Sequence, residues 1–318
     1  MRLAVTMLRY RIASLLLPFF LLAPALHGQL GSFRWGYVAG VVALFASYVV
    51  ATCVNDVFDL EVDRLNAVDR PLAGGQTTVR ALVVTASVAA VIALVLAPSA
   101  VLIALSLLFN VAYSAPPVRI ASRPHLAAPS LALAYVALPY GLGLAAAGSL
   151  PSWFDARVVA ALVVLFAGRM LLKDFRDRRG DAMFGKRTFL LVHGKRATVV
   201  GVLLCVLGGD ALLVTVLPSS ILIAVMQTYF AAIVFELHRL SRASGEEELA
   251  AIARGARMGN AVVLTWLGFA ILPESQRDVF VVAMAGVYWL VFLLPAPAAA
   301  TSTAAARGAT AAEAARAS

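Results

Sequence analysis

Ten predominantly apolar stretches follow one another along the 318 residues of this chain, separated by short polar segments. An α-helix needs about 17 to 25 mostly apolar residues to cross the hydrocarbon core of a bilayer, so each stretch is a candidate span. The last two are short and lie close together, so the pattern predicts nine or ten spans. The candidates are residues 12–30, 36–54, 79–97, 99–114, 127–148, 154–172, 197–216, 218–237, 258–272 and 279–296.

The spans leave no room for a long soluble segment. This pattern predicts an all-α, polytopic membrane protein with one intramembrane domain over residues 1–296. Residues 297–318 form an Ala-rich tail of low complexity. The composition agrees, because 62% of the residues are hydrophobic and only 14% are charged, whereas about 25% are charged in soluble domains.

The net charge of +9 is informative about how the chain is oriented in the membrane. Nucleic-acid binding requires a basic face on a soluble fold, so the apolar composition argues against nucleic acid as a partner. If the N-terminus is cytoplasmic and all ten stretches cross, 23 of the 26 Lys and Arg residues lie on one side, leaving Arg34, Arg157 and Arg277 opposite. Positively charged loops mark the cytoplasmic side. We expect an integral protein of a bacterial or organellar inner membrane, with its charged loops in the cytoplasm.

Acidic residues cluster at two places on that charged side. A spacing of three and then four residues puts each cluster on one helical face. Two copies, 118 residues apart, suggest a duplicated unit whose halves face one another. The clusters are Asp56, Asp59 and Asp63 after the second span, and Asp174, Asp177 and Asp181 after the sixth.

Carboxylates this close at the edge of a low-dielectric region repel one another, so a cation is expected between them. Carboxylate oxygens suit Mg²⁺, which usually bridges one or two carboxylates to substrate phosphates. The two clusters therefore predict a metal–diphosphate site, with Asn55 as a further oxygen ligand. The alternative for the acids is a solvated helix end at which they pair with neighbouring arginines. The alternative for Asn55 is a helix-capping role. We expect metal binding and catalysis from Asp56, Asp59, Asp174 and Asp177, completed by Asn55, Asp63 and Asp181.

Cations flank the second cluster. Arg169 and Lys173 lie one helical turn apart on the approach from the membrane, and Lys186 follows the acids. A diphosphate that carries Mg²⁺ is still negative, so cations are needed to hold it and to stabilise it as a leaving group. The alternative explanation for each of these cations is the general enrichment of lysine and arginine in cytoplasmic loops, without a role in binding. Arg169 and Lys173 are the stronger candidates, because an unpaired charge is costly near an apolar span.

A third polar segment, residues 110–124, follows the fourth span on the same side. Asn110 and Tyr113 present polar groups near the membrane boundary, and Arg119 is placed to reach a phosphate. The alternative is an ordinary interfacial aromatic residue followed by a loop.

These motifs resemble those of the UbiA-type intramembrane prenyltransferases. That family carries N-D-x-x-D-x-x-x-D after its second helix, matched by residues 55–63 and the following "DRPLAGG", which contains Arg70. A second D-x-x-D-x-x-x-D after the sixth helix is matched within "KDFRDRRGDAMFGKRT", and the tyrosine loop is similar to "YSAPPVR". The resemblance covers about residues 5–272. The arginine–proline signature near the first helix is not matched, since Arg9 and Arg11 are followed by no proline.

The resemblance implies a ring of nine transmembrane helices, with a possible tenth, around a central cavity. Polar loops would bind a prenyl diphosphate through Mg²⁺, with Arg70 among the substrate-binding residues. The form of the second motif, with Arg169, Lys173 and Gly180, looks closest to homogentisate prenyltransferases, chlorophyll synthases and archaeal digeranylgeranylglyceryl phosphate synthases. The implied function is Mg²⁺-dependent prenyl transfer to an acceptor inside the bilayer, foremost an aromatic precursor in quinone biosynthesis.

Three other functions stay open at this point. The acceptor can be a lipid or sugar phosphate, which an enlarged basic cavity would favour. An intramembrane terpene cyclase would ionise the same diphosphate without an acceptor. An ion-coupled transporter would also use acids, but transporters bind near the bilayer midplane, whereas these acids lie at the ends of spans.

Overall fold

A computed structural model describes residues 7–66, 70–257 and 260–293, and within these ranges the regular structure is entirely helical. Residues 1–6, 67–69, 258–259 and 294–318 lie outside the described residues. The outside ranges include the Ala-rich tail predicted at 297–318. The predicted boundary of the membrane domain at residue 296 is therefore untested.

Six helices lie in the described part of the first half of the chain. A helical turn, Tyr10–Ala13, and a 3₁₀ turn, Ser14–Leu16, lead into the first helix. The last helix contains a π-helical stretch, Leu133–Ala137. The helices are α1 (Leu17–Leu26), α2 (Trp35–Phe58), α3 (Leu60–Asn66), α4 (Val79–Leu96), α5 (Ala100–Ser114) and α6 (Ala127–Ala147).

Six more helices lie among the residues that the structure describes in the second half. The first of them, with 31 residues, is the longest and carries the second acidic motif. The next one is interrupted at Gly194, whose φ of 77° and ψ of 175° are non-helical, so its apolar part begins close to the predicted residue 197. The helices are α7 (Trp153–Met183), α8 (Phe189–Val214), α9 (Ser220–Arg242), α10 (Glu246–Arg257), α11 (Asn260–Ile271) and α12 (Glu274–Leu293).

Hydroxyl side chains define where several helices begin. Thr78, Ser99, Thr188 and Ser219 each accept a hydrogen bond from the backbone N–H three residues further on. This bond satisfies one of the free N–H groups of the first helical turn. These four caps explain why the helices begin within a few residues of the apolar stretches seen in the sequence.

Five helices within the described residues are long and apolar enough to cross a membrane, namely α2, α4, α6, α8 and α9. Helix α4 shows the environment most plainly, because Val84, Val88, Val91 and Val95 are each more than half exposed on its outer face. A soluble monomer seldom exposes so continuous an apolar surface. Lipid tails suit this surface because they are as apolar as the valine side chains. The helix backbone also tolerates a lipid environment, because its polar groups are hydrogen-bonded within the helix.

The helices pack as neighbours around a central space. Helix α2 lies against α4 and α5, α7 lies against α8, and α12 returns to contact α1. Helix α1 also packs closely on α6, where a Cβ added to Gly143 would lie 2.1 Å from the carbonyl oxygen of Phe20. Small residues permit such close helix contacts in membranes. The bundle closes on itself, as the resemblance implied, while the exact number of spans stays a prediction.

The end of the bundle opposite the acidic motifs is held by one buried carboxylate, Asp155, at the start of α7. It accepts hydrogen bonds from the Ser152 backbone N–H and hydroxyl, both at 2.6 Å, and from the Tyr140 hydroxyl. The Nε2 atom of His27 lies 3.1 Å from its Oδ1 atom. Asp155 is 3% exposed, so it links α1, α6 and α7 where water is scarce.

We expect Asp155→Ala to destabilise the protein by about 3–5 kcal/mol, the usual cost of removing one partner from a buried charged network. His27, Tyr140 and Ser152 would each lose an acceptor. The measurement is thermal unfolding in detergent, with Asp278→Ala, an exposed acid on α12, as the matched control. Equal unfolding temperatures for Asp155→Ala and wild type would contradict this role.

Candidate active site

One large cavity, about 740 Å³ in volume, opens between the two acidic motifs. Asp59 and Asp63 line it from the first motif, and Lys173, Asp181 and Lys186 line it from the second. Helix α3 lies directly against α7. The two motifs, more than a hundred residues apart in sequence, therefore meet over a single chamber, as their matched spacing predicts.

The first motif does not present all its acids on one face, because α2 ends at Phe58 and the backbone departs from helical geometry at Asp59. Asn55, Asp59 and Asp63 line the cavity, and the Asn55 amide donates a 2.7 Å hydrogen bond to Oδ2 of Asp59. Asp56 is buried behind them, with 1% exposure. This arrangement differs from the single acidic face that the spacing predicts.

Asp56 is engaged by two arginines. Its Oδ1 atom accepts hydrogen bonds from the guanidinium groups of Arg9, before α1, and Arg70, after α3. Its Oδ2 atom is buried without a hydrogen-bond partner among the described residues. Both arginines also line the cavity. Asp56 therefore holds two cations at the cavity wall from behind.

A third arginine reaches the motif from the loop after α5. Nη2 of Arg119 donates a 3.1 Å hydrogen bond to Oδ1 of Asp59. Arg119 and Arg9 are the two non-glycine residues with positive φ in the described part of the chain, at 37° and 43°. Such backbone strain persists only where surrounding contacts over-determine it and tends to cluster at functional sites. Both strained residues pair with acids of the first motif.

Asp63 remains short of positive charge despite these arginines. Its Oδ2 atom lies 3.5 Å from Nε of Arg70 in an ion pair but accepts no hydrogen bond from the described residues. Burial, with a smaller contribution from the charges of Asp56 and Asp59, raises the pKa of Asp63 to about 6, and Arg70 offsets only part of that. A further cation in the cavity would therefore be stabilised there.

The second motif continues α7 without a break as far as Met183. Asp181 is 4% exposed and pairs with Lys186, whose Nζ atom lies 3.4 Å from Oδ1. Asp174 lies in a small pocket beside the main cavity, which Lys173 and Lys186 also line. The backbone of Asp177 is part of α7, but its side chain lies outside the described residues.

The third predicted segment also reaches the cavity. Asn110 and Tyr113 line it from α5. The Asn110 amide donates to the backbone carbonyl and hydroxyl of Ser47, at 3.0 and 3.1 Å, and so ties α5 to α2. The Asn110 N–H groups therefore have a structural use as well as a place in the cavity wall.

Arg169 lines the deeper part of the cavity, one turn below Lys173. Aromatic rings lie nearby, because Tyr135 stacks on Phe166 with ring centres 5.5 Å apart, and Tyr48 meets the edge of Tyr135 at 6.3 Å. The π-helical stretch that carries Tyr135 is a feature often found at functional sites.

Some cavity residues were not predicted as site residues from the sequence. Arg9 is visible in the sequence as a basic residue before the first span, but basic residues are common at that position in membrane proteins, so its presence does not indicate a site. Tyr229 and Glu236 line the cavity from α9, and their spacing of seven residues places them on one helical face. Neither belongs to a motif, so only the packing of α9 identifies them.

The site combines acids, cations and an apolar interior. Among the described residues, no group of three or more His, Cys, Asp or Glu side chains is close enough to enclose a metal ion by itself. An open set of carboxylates with an orphaned oxygen suits a hard cation that keeps water or substrate ligands. Such a site can bind an anion through a bridging metal and through direct contacts with lysine and arginine.

Comparison with known proteins identifies relatives of this chain. The sequence matches the family model described as UbiA prenyltransferase family over residues 15–260. It is 33% identical over 165 residues to the bacteriochlorophyll synthase 34 kDa chain of Chloroflexus aurantiacus, which covers 50% of this chain and 51% of the relative. It is 30% identical over 177 residues to the digeranylgeranylglyceryl phosphate synthase of Methanoculleus marisnigri, covering 55% and 62%.

A third relative, the chloroplastic 2-acylphloroglucinol 4-prenyltransferase of Humulus lupulus, is 26% identical over 213 residues, covering 62% of this chain and 52% of the relative. The chain thus spans about half the length of the first curated relatives that it matches.

Solved structures share the fold. A UbiA homolog from Archaeoglobus fulgidus bound to DMAPP and Mg²⁺ superposes with a TM-score of 0.65 at 18% identity, covering 89% of this chain and 98% of that one. A structure of digeranylgeranylglyceryl phosphate synthase gives a TM-score of 0.64 at 15% identity, covering 87% and 97%. The predicted all-α membrane fold is confirmed.

We expect Asp63→Asn to raise the unfolding temperature of the metal-free protein at about pH 7.5. The raised pKa of Asp63 means that its ionised form is disfavoured in the folded state, and asparagine removes that cost. The gain should be complete above a pH of about 6 and should disappear as the pH falls towards the ordinary value of 3.8. The measurement is thermal unfolding with chelator across this range, with Glu61→Gln, an exposed neighbour, as control. A gain that does not change with pH would contradict the assignment.

Proposed function

The chain belongs to the UbiA prenyltransferase family, and from that premise we propose that it transfers a prenyl group from a prenyl diphosphate, held through Mg²⁺, to an acceptor inside the membrane. One observation carries the proposal: two acidic helix ends meet over a cavity of about 740 Å³ that has a polar end, rich in cations, and an apolar interior. We call the polar end the cap; it is formed by Asn55, Asp59, Asp63, Arg70, Lys173, Asp181 and Lys186. The head of a prenyl diphosphate suits the cap, and its hydrocarbon chain suits the interior.

The residues at the cap fit Mg²⁺. We propose that Asn55, Asp59 and Asp63 hold it from the first motif, and that Asp174, Asp177 and Asp181 hold it from the second. The orphaned Oδ2 atom of Asp63 supports this assignment, because a carboxylate oxygen without a hydrogen-bond partner in the described residues favours a cation where the residue lines the cavity. The Oδ2 atom of Asp56 is also unpartnered, but Asp56 does not line the cavity. When bound, Mg²⁺ supplies positive charge to the diphosphate oxygens.

The cations of the cap would bind the diphosphate directly. Arg70, Arg119, Lys173 and Lys186 surround the acids, and their N–H groups can donate to the negative oxygens of the leaving diphosphate. In the reaction the allylic C–O bond breaks and its electron pair leaves with the diphosphate. The acceptor then forms a bond to the allylic carbon and loses a proton, for which a diphosphate oxygen or a cap carboxylate is the acceptor.

The interior of the cavity would protect the allylic cation. Apolar walls exclude water, which would otherwise quench the cation. The rings of Tyr48, Tyr135 and Phe166 form one connected aromatic group, and the faces of such rings attract positive charge. This part of the chain would therefore stabilise the cation until the acceptor attacks.

For the acceptor we propose an aromatic quinone-type precursor, with a lipid phosphate as the second candidate. The relatives support both, since one is named 2-acylphloroglucinol 4-prenyltransferase, which specifies an aromatic acceptor, and another digeranylgeranylglyceryl phosphate synthase. The position of the acids at helix ends favours an enzyme over a transporter, which would bind near the midplane. A terpene cyclase would form product from the prenyl diphosphate alone, whereas a transferase needs an acceptor as well.

The protein is an integral membrane protein of the UbiA fold. We propose that the cap faces the cytoplasm, because the loops around it carry most of the lysines and arginines. A water-soluble diphosphate head would then enter from the cytoplasmic side, while its chain stays in the bilayer.

We expect Asp59→Asn and Asp181→Asn each to reduce prenyl transfer by about a hundredfold or more, because each removes negative charge that holds the metal and, through it, the leaving group. The assay is mass spectrometry after incubating purified protein with Mg²⁺, prenyl diphosphates of several lengths, and phenolic acids or lipid acceptors. Glu61→Gln should keep wild-type activity. Turnover that survives both substitutions, or that is undiminished by chelation, would refute the proposal.

Asp56→Asn should behave differently from Asp59→Asn. Asp56 holds Arg9 and Arg70 and does not line the cavity, so we expect a weaker donor affinity, by about tenfold, with an unchanged Mg²⁺ requirement. Asp59→Asn should instead raise the Mg²⁺ concentration needed for half-maximal activity. An equal rise for Asp56→Asn would make Asp56 a metal ligand, as the sequence alone predicts.

A further inference from the structure

Two histidines meet on the surface beside the acidic motifs, and the proposed reaction uses neither of them. His125 directly follows the polar segment after α5, and His193 lies at the start of α8, just before the interruption at Gly194. Their Nε2 atoms are 3.3 Å apart, although the two residues are 68 positions apart in the sequence. The fold has therefore brought together two nitrogen ligands that no sequence spacing connects.

Packing positions the two rings so that these nitrogens face each other. The ring centres are 4.9 Å apart and the ring planes are inclined at 49°, so the Nε2 atoms lie closer together than the rings do. Phe189, one turn before His193, packs against both, with its centre 4.6 Å from the His193 ring and 5.7 Å from the His125 ring. Both histidines nevertheless remain exposed, so an ion and its water ligands can reach them.

The separation of the nitrogens suits a shared metal ion better than a direct hydrogen bond. Hydrogen bonds from N–H groups usually span about 2.7 to 3.2 Å, so 3.3 Å is long for one. Two histidine nitrogens bound to one tetrahedral Zn²⁺ at about 2.0 to 2.1 Å lie about 3.3 to 3.4 Å from each other. Imidazole nitrogen suits Zn²⁺, Cu²⁺ and Ni²⁺, whereas the carboxylates of the cap suit Mg²⁺.

The histidine pair also joins two segments that border the acidic motifs. Pro124, next to His125, and Thr188, the N-cap of α8, line the same small pocket as Asp174 and Lys186. An ion bound to both histidines would therefore link residues 115–126, after α5, to residues 184–193, between α7 and the interruption of α8. These two segments lie beside the proposed diphosphate site.

We propose that His125 and His193 form a two-ligand site for a divalent transition-metal ion of the Zn²⁺ class, which ties these two segments together at the edge of the cap. Two ligands from the protein leave the other coordination positions to water, so the ion exchanges with the medium and is not needed for folding. The concentration of such an ion would then set how firmly the two segments are joined. This inference goes beyond the proposed function, because it does not depend on prenyl transfer.

The test is a titration with ZnCl₂ of the full-length protein, purified without a polyhistidine tag. Excess Mg²⁺ is present throughout, so that the carboxylates of the cap are already supplied with a cation. Zn²⁺ binding is measured by calorimetry, and backbone hydrogen exchange is measured in residues 115–126 and 184–193. The variants are His125→Gln and His193→Gln, because glutamine can keep a hydrogen bond but is a poor ligand for Zn²⁺. The matched control is His238→Gln, which changes an exposed histidine on α9.

We expect wild type and His238→Gln to bind Zn²⁺ with the same affinity. His125→Gln and His193→Gln should each bind it at least about tenfold more weakly, because losing either ligand removes the gain from binding through two linked groups. Zn²⁺ should slow hydrogen exchange in both segments of wild type and His238→Gln, and in neither segment of the other two variants.

Three results would overturn the site. The first is a wild-type protein that binds no Zn²⁺ in the presence of Mg²⁺. The second is an equal Zn²⁺ affinity in wild type, His125→Gln and His193→Gln, which would place the ion on other ligands. The third is slowed exchange in only one of the two segments, which would contradict a link between them.

Discussion

The mutual repulsion of carboxylates at the edge of a low-dielectric membrane interior is the constraint on which the structure around the site depends. Acids at two helix ends can approach one another only if positive charge lies between them. In the protein by itself, Arg9, Arg70 and Arg119 meet that need for the first motif, and Lys186 does so for the second. The loops that carry these cations are therefore held over the cavity by the acids themselves, which makes the cap a product of electrostatics as much as of packing.

The same constraint separates two kinds of acid within one motif. Each has one oxygen without a hydrogen-bond donor in the described residues. Asp56 lies behind the cavity wall with its other oxygen bonded to two guanidinium groups, whereas Asp63 lines the cavity itself. The first arrangement fixes the position of cations, and the second leaves room for another cation to bind. The proposed binding of both a metal and a diphosphate needs both arrangements. The cost is a carboxylate, Asp63, whose ionised form is disfavoured until a ligand is bound, a trade of stability for function that is common at active sites.

Different parts of the cavity are lined by residues of different chemistry. The cap holds acids and most of the cations, and the aromatic group of Tyr48, Tyr135 and Phe166 lies in the wall. Arg169 on α7 and Tyr229 on α9 also line the cavity. The proposed prenyl transfer requires the leaving group, the allylic cation and the acceptor to lie next to one another without water between them. At the far end of the bundle, Asp155 uses the same chemistry for a different purpose, joining α1, α6 and α7.

The sequence by itself determined the membrane class, the approximate helix boundaries, the two acidic motifs and the side of the bundle that they share. These properties follow from local periodicity and charge, which act over a few turns of helix. Only the tertiary structure decided that Asp56 lies behind the cavity wall, because a break at Asp59 and contacts with Arg9 and Arg70 turn the motif. It also brought Tyr229 and Glu236 into the cavity and left Arg169 without a carboxylate partner in the described residues. Such outcomes depend on which helices become neighbours, and no spacing within one segment encodes that.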